Sequence, residues 1–388
     1  MLPSVTFAKK RSRFRTFLEM LAKRSTHFAR CIALACTCTA VLGGCASVGP
    51  SRLRADQVNY ERALGDAKKR EILATVVGLR YGDSPSFVTV SNIIAAYQFD
   101  ASAGPTLNLG SGSVPNYAEA AGTVSYANHP TFTFTPVTGE AYATAYIRPL
   151  PSSLVLPLAD SGMPIDLLLR ISVQSIGDLQ NASPLGGANG DGSPGFFELL
   201  RALRQLQLAG ELSFSYKEVD KVQHISMVLG GASTNEPEQN KADIDTVRRL
   251  LHLSQTTASY EIVAPAPVGT LSPTAGRGTT VSMITRSVLG ILTNLGAEVE
   301  VPQASVSDGS TKPTVRLVGG ETRPIVMVHN GSGTPDDPYC AIEYNGSWYW
   351  VDRTDFDSKY AFTVVQNIIA LAEATQDSKA PVVTIPAN

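Results

Sequence analysis

The side chains that could do chemistry are few and scattered. Downstream of residue 45 the histidines are His129, His224, His252 and His329, and the one cysteine is Cys340. No His-Glu-x-x-His pair places two imidazoles on one helix face around a zinc ion. No Gly-x-Ser-x-Gly elbow presents a serine nucleophile, no Cys-x-x-Cys pair offers a redox or zinc site, and no Gly-Lys-Ser/Thr ending makes a phosphate loop. Cys340 has no histidine after it, and His329 lies eleven residues before it in a turn-rich segment. Two constellations remain near the C-terminus. Asp352, Asp355 and Asp357 put three carboxylates within six positions, enough oxygen for Ca²⁺. They lack the glycine and the closing glutamate of an EF-hand loop, so capping and turn roles are the competing reading. Trp348 and Trp350 stand two apart and therefore on one face of a strand, with Glu343 across from them. They either pack under the last helix or present a stacking platform to a ligand or partner.

Those residues need a scaffold, and the clearest local one is the hairpin Cys340–Val351. Asn345-Gly346 is a strong two-residue turn signal, because a type I′ turn needs positive φ at both positions. Such a turn pairs Tyr344 with Ser347, Ile342 with Tyr349 and Cys340 with Val351, which places Cys340 among apolar neighbours as an inert thiol. Asp357 or Ser358 is expected to cap the final helix, whose apolar face is Phe362, Val365, Ile368, Ile369 and Leu371.

At the other end, Lys/Arg residues precede an apolar run, Cys31–Leu42, too short to span a bilayer as a helix. Leu42-Gly43-Gly44-Cys45 closes it and resembles the lipobox of bacterial lipoprotein signals. The resemblance implies cleavage before Cys45 and lipidation of its thiol. With Ala46 in place of an aspartate, it also implies delivery to the outer membrane, facing the periplasm. Met20 opens a more typical signal than Met1. Eight of the 32 Lys/Arg and one of the 34 Asp/Glu precede Cys45, so the processed chain keeps 24 and 33, a net charge of −9. That balance argues against nucleic acid and anionic lipid as partners. With Cys340 as the only other cysteine, an internal disulfide has no partner to form with.

The chain between reads as α+β, in two or three small domains with antiparallel sheets and packed helices. Residues 1–44 are the signal and 45–55 a tether. Residues 56–180 hold a helix capped by Asp56, a long β-hairpin and a proline-cut helical segment. Residues 181–195 form a Gly-rich linker, 196–264 a helix-strand-strand-helix-strand unit, 265–278 a Pro/Gly linker and 279–388 a C-terminal α+β domain. Asp243 or Asp245 is expected to cap the second helix of the 196–264 unit. Thr279–Leu295 is expected as a helix, and Glu298–Val301 as a short strand. The Phe87–Thr135 stretch is either two strands of an ordinary sheet or a hairpin that joins its neighbours in an oligomeric barrel; its apolar face looks patchy. Asn59-Tyr60, Leu79-Arg80-Tyr81-Gly82-Asp83, the Asp355–Lys359 step and Pro381–Pro386 resemble a group of uncharacterised proteobacterial lipoproteins. The order within 196–264 is similar to ring-building domains of secretion-system lipoproteins. Three functions follow as expectations: a non-enzymatic envelope lipoprotein that binds or assembles with envelope proteins, a ring-forming homo-oligomeric export subunit, and an envelope hydrolase. No cofactor is expected.

Overall fold

The computed structural model describes residues 48–94, 97–108, 117–128, 131–183, 190–231, 238–264, 278–314 and 323–374. The signal segment, Cys45 and Pro381–Pro386 lie outside the described residues. The chain divides into two units, 1–68 and 69–388. The described part of the first is the leading half of helix α1 (Val48–Tyr81). Its side chains from Gln57 onward are mostly exposed, with Gln57 donating to Glu61 at 3.0 Å one turn on. The expected tether therefore turns helical at Val48, and Asp56 lies inside the helix instead of capping it. Pro50 falls in the first turn, where its missing N–H has no partner to lose.

In the second unit α1 turns an apolar stripe inward: Ile72, Leu73, Val76 and Val77 are buried. The helix ends at Tyr81. Gly82 takes φ +84° and the Asp83 N–H donates to the Gly78 carbonyl at 2.9 Å, closing the terminal carbonyls.

Next comes a long ribbon. Strand β1 (Val88–Ile94) pairs antiparallel with β4 (Thr131–Pro136), and β2 (Tyr97–Asn108) pairs antiparallel with β3 (Tyr117–Asn128). Among the described residues each pair is a sheet of two strands. Opposed residues of a ladder share a face. The β2–β3 register puts Phe99 with Tyr126, Ala101 with Val124, Ala103 with Gly122, Pro105 with Ala120 and Leu107 with Ala118. On the other face Asp100 meets Ser125, Ser102 meets Thr123, Gly104 meets Ala121 and Thr106 meets Glu119. The first of these register faces holds apolar and small residues apart from Asn128, which opposes Tyr97 at its end.

A proline-punctuated helical segment follows: α2 (Gly139–Tyr142), a π-turn (Ala143–Ile147), α3 (Ser152–Asp160) and α4 (Ile165–Ser172). The apolar run beginning at Ile165 changes to strand at β5 (Val173–Ile176), which hairpins into β6 (Leu179–Gln180). Then come α5 (Pro194–Ala209), β7 (Leu212–Val219), β8 (Val222–Leu229), α6 (Glu238–Leu250) and β9 (Ser259–Val263), in the order read from the sequence. Because α6 begins at Glu238, Asp243 and Asp245 lie within it and do not cap it.

Two expectations fail at the next segment. Thr280–Thr285 is a strand, β10, and helix α7 (Val288–Ala297) starts only after it, with the Ser287 hydroxyl accepting the Gly290 N–H at 3.1 Å. The β10 side chains alternate between buried and half-buried along Thr-Val-Ser-Met-Ile-Thr, the period of a strand. β10 also joins what the Pro/Gly stretch 265–278 was expected to separate. It lies between β5 and β9 in one six-stranded sheet of order β6-β5-β10-β9-β8-β7, parallel to β9 and antiparallel to β5. Glu298–Val301 is not a strand; a short helix α8 (Gln303–Ser307) follows it.

The C-terminal part is a three-stranded antiparallel sheet of order β11-β13-β12, with β11 (His329–Gly331), β12 (Cys340–Tyr344) and β13 (Ser347–Val351), closed by helix α9 (Phe356–Ala374). α9 buries Phe362, Val365, Ile368 and Ile369 in a core shared with α1, α3, α4 and α7. The architecture is α+β, with helices packed on a mixed sheet and on an antiparallel one. No described helix is long and apolar enough to cross a membrane.

Candidate functional site

The small sheet has two unlike faces. Asn345 and Gly346 adopt φ of 49° and 73°, and the register is the one a type I′ turn dictates: Tyr344 to Ser347, Ile342 to Tyr349, Cys340 to Val351. One face packs inward. Tyr349 and Val351 are fully buried and Cys340 nearly so. The Tyr349 hydroxyl lies 2.6 Å from that of Tyr81 on α1. Burial first, and then this hydrogen bond, push the Tyr349 phenol above its ordinary range. Cys340 thus sits on the core face while His329 lies on the opposite one, which excludes a Cys–His pair.

The other face carries two rows of opposed residues, Gly331–Trp348–Glu343 and His329–Trp350–Ala341. Trp348 and Trp350 are half-buried, Glu343 is exposed, and the core lies on the far side. Gly331 gives the Trp350 ring its room: a Cβ there would stand 3.1 Å from it. Trp350 Nε1 donates to Asp352 Oδ1 at 2.9 Å. The other Asp352 oxygen is 3.4 Å from His329 Nε2, and His329 Nδ1 is 3.3 Å from Glu300 Oε2. Glu300 also accepts the Asn330 N–H at 3.3 Å, and the imidazole leans over Trp350 with ring centroids 5.7 Å apart. The arrangement is an aromatic floor beside an imidazole held between two carboxylates, with Glu343 at the rim. Each ring nitrogen of His329 thus lies within 3.4 Å of a carboxylate oxygen.

The aspartates divide. Asp352 belongs to this face. Asp355 caps α9, its Oδ1 accepting the Ser358 N–H at 3.1 Å, in place of the expected Asp357 or Ser358. Arg323 bridges Asp355 at 2.6 Å and Asp357 at 3.1 Å and donates to the buried Ser358 hydroxyl. Burial pushes the Asp355 carboxyl up. The hydrogen bonds from Ser358, with those and the charge of Arg323, outweigh it and hold the group below its ordinary range. The three carboxylates do not converge, and no described group of His, Cys, Asp and Glu could hold a metal ion. The calcium reading of Asp352, Asp355 and Asp357 is set aside because a guanidinium occupies the place of the cation.

A polar cavity of about 800 Å³ lies beside the start of α7, lined by Gln174, Asn181, Ser193, Thr285, Arg286 and Asn294 among others. Its cation serves the fold: Arg286 donates to the carbonyls of Arg170, Ile171 and Ala182 at 2.6–3.2 Å, satisfying the C-terminal end of α4. Burial lowers its pKa to about 10. Nothing in the local sequence announces Arg286 or Glu300 as a member of either cluster, since their partners are far along the chain.

No family model matches the chain, and no curated protein or solved structure does.

Proposed function

We propose that the chain is a lipid-anchored envelope protein, held at the outer membrane through Cys45 and facing the periplasm, that binds an envelope protein without chemistry of its own. One observation carries this reading: the β12–β13 hairpin buries one face in the core and turns two half-buried tryptophans the other way, beside Glu300, Glu343 and Asp352. Tryptophan faces attract cations through the ring quadrupole, and carboxylates at the rim add to that attraction. The occupant that fits is a Lys- or Arg-bearing segment of the partner.

Trp348 and Trp350 are the only tryptophans in the sequence, so tryptophan emission, excited selectively over the tyrosines, reports this face. Titrating the acylated protein with a short Lys/Arg peptide is expected to shift the emission. The shift weakens with salt and disappears in Glu343→Gln/Asp352→Asn. A neutral disaccharide giving the larger shift would make the face a glycan platform. No response to either probe would sink the reading.

A further inference from the structure

The β2–β3 ribbon has no place in a water-soluble body. Two strands alone are marginal in water, because a hairpin needs a third strand or a packed layer to cover its apolar face. Among the described residues neither β2 nor β3 is paired or closely packed with any element but the other. The register nevertheless gives the ribbon one apolar face, with Phe99, Ala103, Leu107 and Tyr126, and one polar face, with Asp100, Ser102, Thr123 and Glu119. Among the described residues neither outer edge has a neighbouring strand.

Length, alternation and edges converge on one environment. Each strand has 12 residues, about 40 Å at the usual rise. Tilted by about 40°, that covers about 30 Å, the thickness of a bilayer's hydrocarbon. A strand pair cannot sit in lipid with open edges, since every backbone polar group there needs a partner. Closure through identical ribbons of other copies supplies those partners. At its base, β4 exposes Phe132 and Phe134, on a register face shared with Val90 and Ile93, and aromatic side chains favour the rim of such a barrel.

We infer that the β2–β3 ribbons of several copies of this chain close into one transmembrane β-barrel, apolar face to lipid and polar face to a water-filled lumen. Each copy contributes two strands, so the smallest barrels require about four copies. Asp100 and Glu119 fall on the lumen face and form acidic rings, which favour cations. This inference stands apart from the tryptophan face and shares with it only the envelope location.

The test is conductance of planar bilayers to which the detergent-extracted, acylated chain is added. Discrete, cation-selective steps are expected. Ala103 and Ser102 are neighbours at mid-strand on opposite faces. Ala103→Arg places a charge toward lipid at the midplane and is expected to cut channel formation at least about thirty-fold. Ser102→Arg is expected to keep conducting, with selectivity moved toward anions, and Asp100→Asn/Glu119→Gln to lose much of the cation preference. Equal melting of all variants shows that the body is intact. Absence of wild-type conductance, or equal loss in Ala103→Arg and Ser102→Arg, overturns the inference. So does a detergent-free soluble oligomer joined by its ribbons. Mass spectrometry of Cys45 reports on the lipid anchor separately, so failure of the anchor and failure of the barrel are told apart.

Discussion

The β12–β13 hairpin and the β2–β3 ribbon use the same backbone device with opposite results. Both are antiparallel pairs in continuous register. The short one has a third strand, β11, and buries Val351 and Tyr349, the latter against Tyr81 of α1, so its outward face is free to carry tryptophans. Among the described residues the long one has neither a third strand nor a closely packed layer, so each of its faces must find its own surroundings. A hairpin that is covered on one side becomes a platform. One that is uncovered on both sides needs a second phase or a second copy.

The largest way to break this contrast is on the covered side. Tyr349→Ala removes a fully buried ring and the hydroxyl contact with Tyr81. A loss of about 3–5 kcal/mol is expected in urea unfolding. By comparison, replacing residues 97–128 with a short Gly-Ser turn is expected to leave the melting temperature of the body nearly unchanged. A large drop would mean that the ribbon helps to hold the body.

Gly331→Val is next. Its side chain would press on the Trp350 ring, where even a Cβ would stand at 3.1 Å. A cost of about 1–3 kcal/mol is expected, together with a shifted tryptophan emission, whereas Gly333→Val, with open space around it, is expected to be mild.

Asp355→Asn tests the clamp behind the sheet. It removes the ion pair with Arg323 and weakens the α9 cap, at about 1 kcal/mol near neutral pH. The folded carboxyl sits below its unfolded value. Its stabilisation is therefore present above about pH 4 and fades as pH falls through the folded pKa. The difference between wild type and variant, followed by urea titrations at several pH values, should shrink on acidification; a constant difference would contradict the assignment. The smallest effect expected is that of Gly346→Ala. It strains one position at φ 73°, costs about 1 kcal/mol, and leaves the register in place because Tyr349 and Val351 still face the core.

What the sequence revealed was local. Asn345-Gly346 determines its turn by φ alone, and the register, the core side of Cys340 and the shared face of Trp348 and Trp350 follow from it. Gly82 ends α1 for the same kind of reason. β10 reads as helix because Met283 and Ile284 continue, at helical spacing, the apolar face of Val288, Leu289, Ile291 and Leu292 in α7. The alternating threonines and serines were the better guide. The placement of β10 between β5 and β9 depends on partners about a hundred residues away on one side, which no window contains. The same holds for the site: Trp348, Trp350 and Asp352 lie in one stretch, but Glu300 reaches His329 and Asn330 only through the folded chain. Asp355 was visible as a carboxylate, and what decided its role was Arg323 from another segment.

The parallel pairing of β9 with β10 has a practical consequence. The segment 265–277 joins two strands that are already fastened side by side, Glu261 beside Thr280 and Val263 beside Ser282, while β5 holds β10 from its other edge. A protease nick in that segment would not release a domain. The two pieces would copurify and separate only in denaturant, and either piece expressed alone would present half of a split sheet as a template for the other.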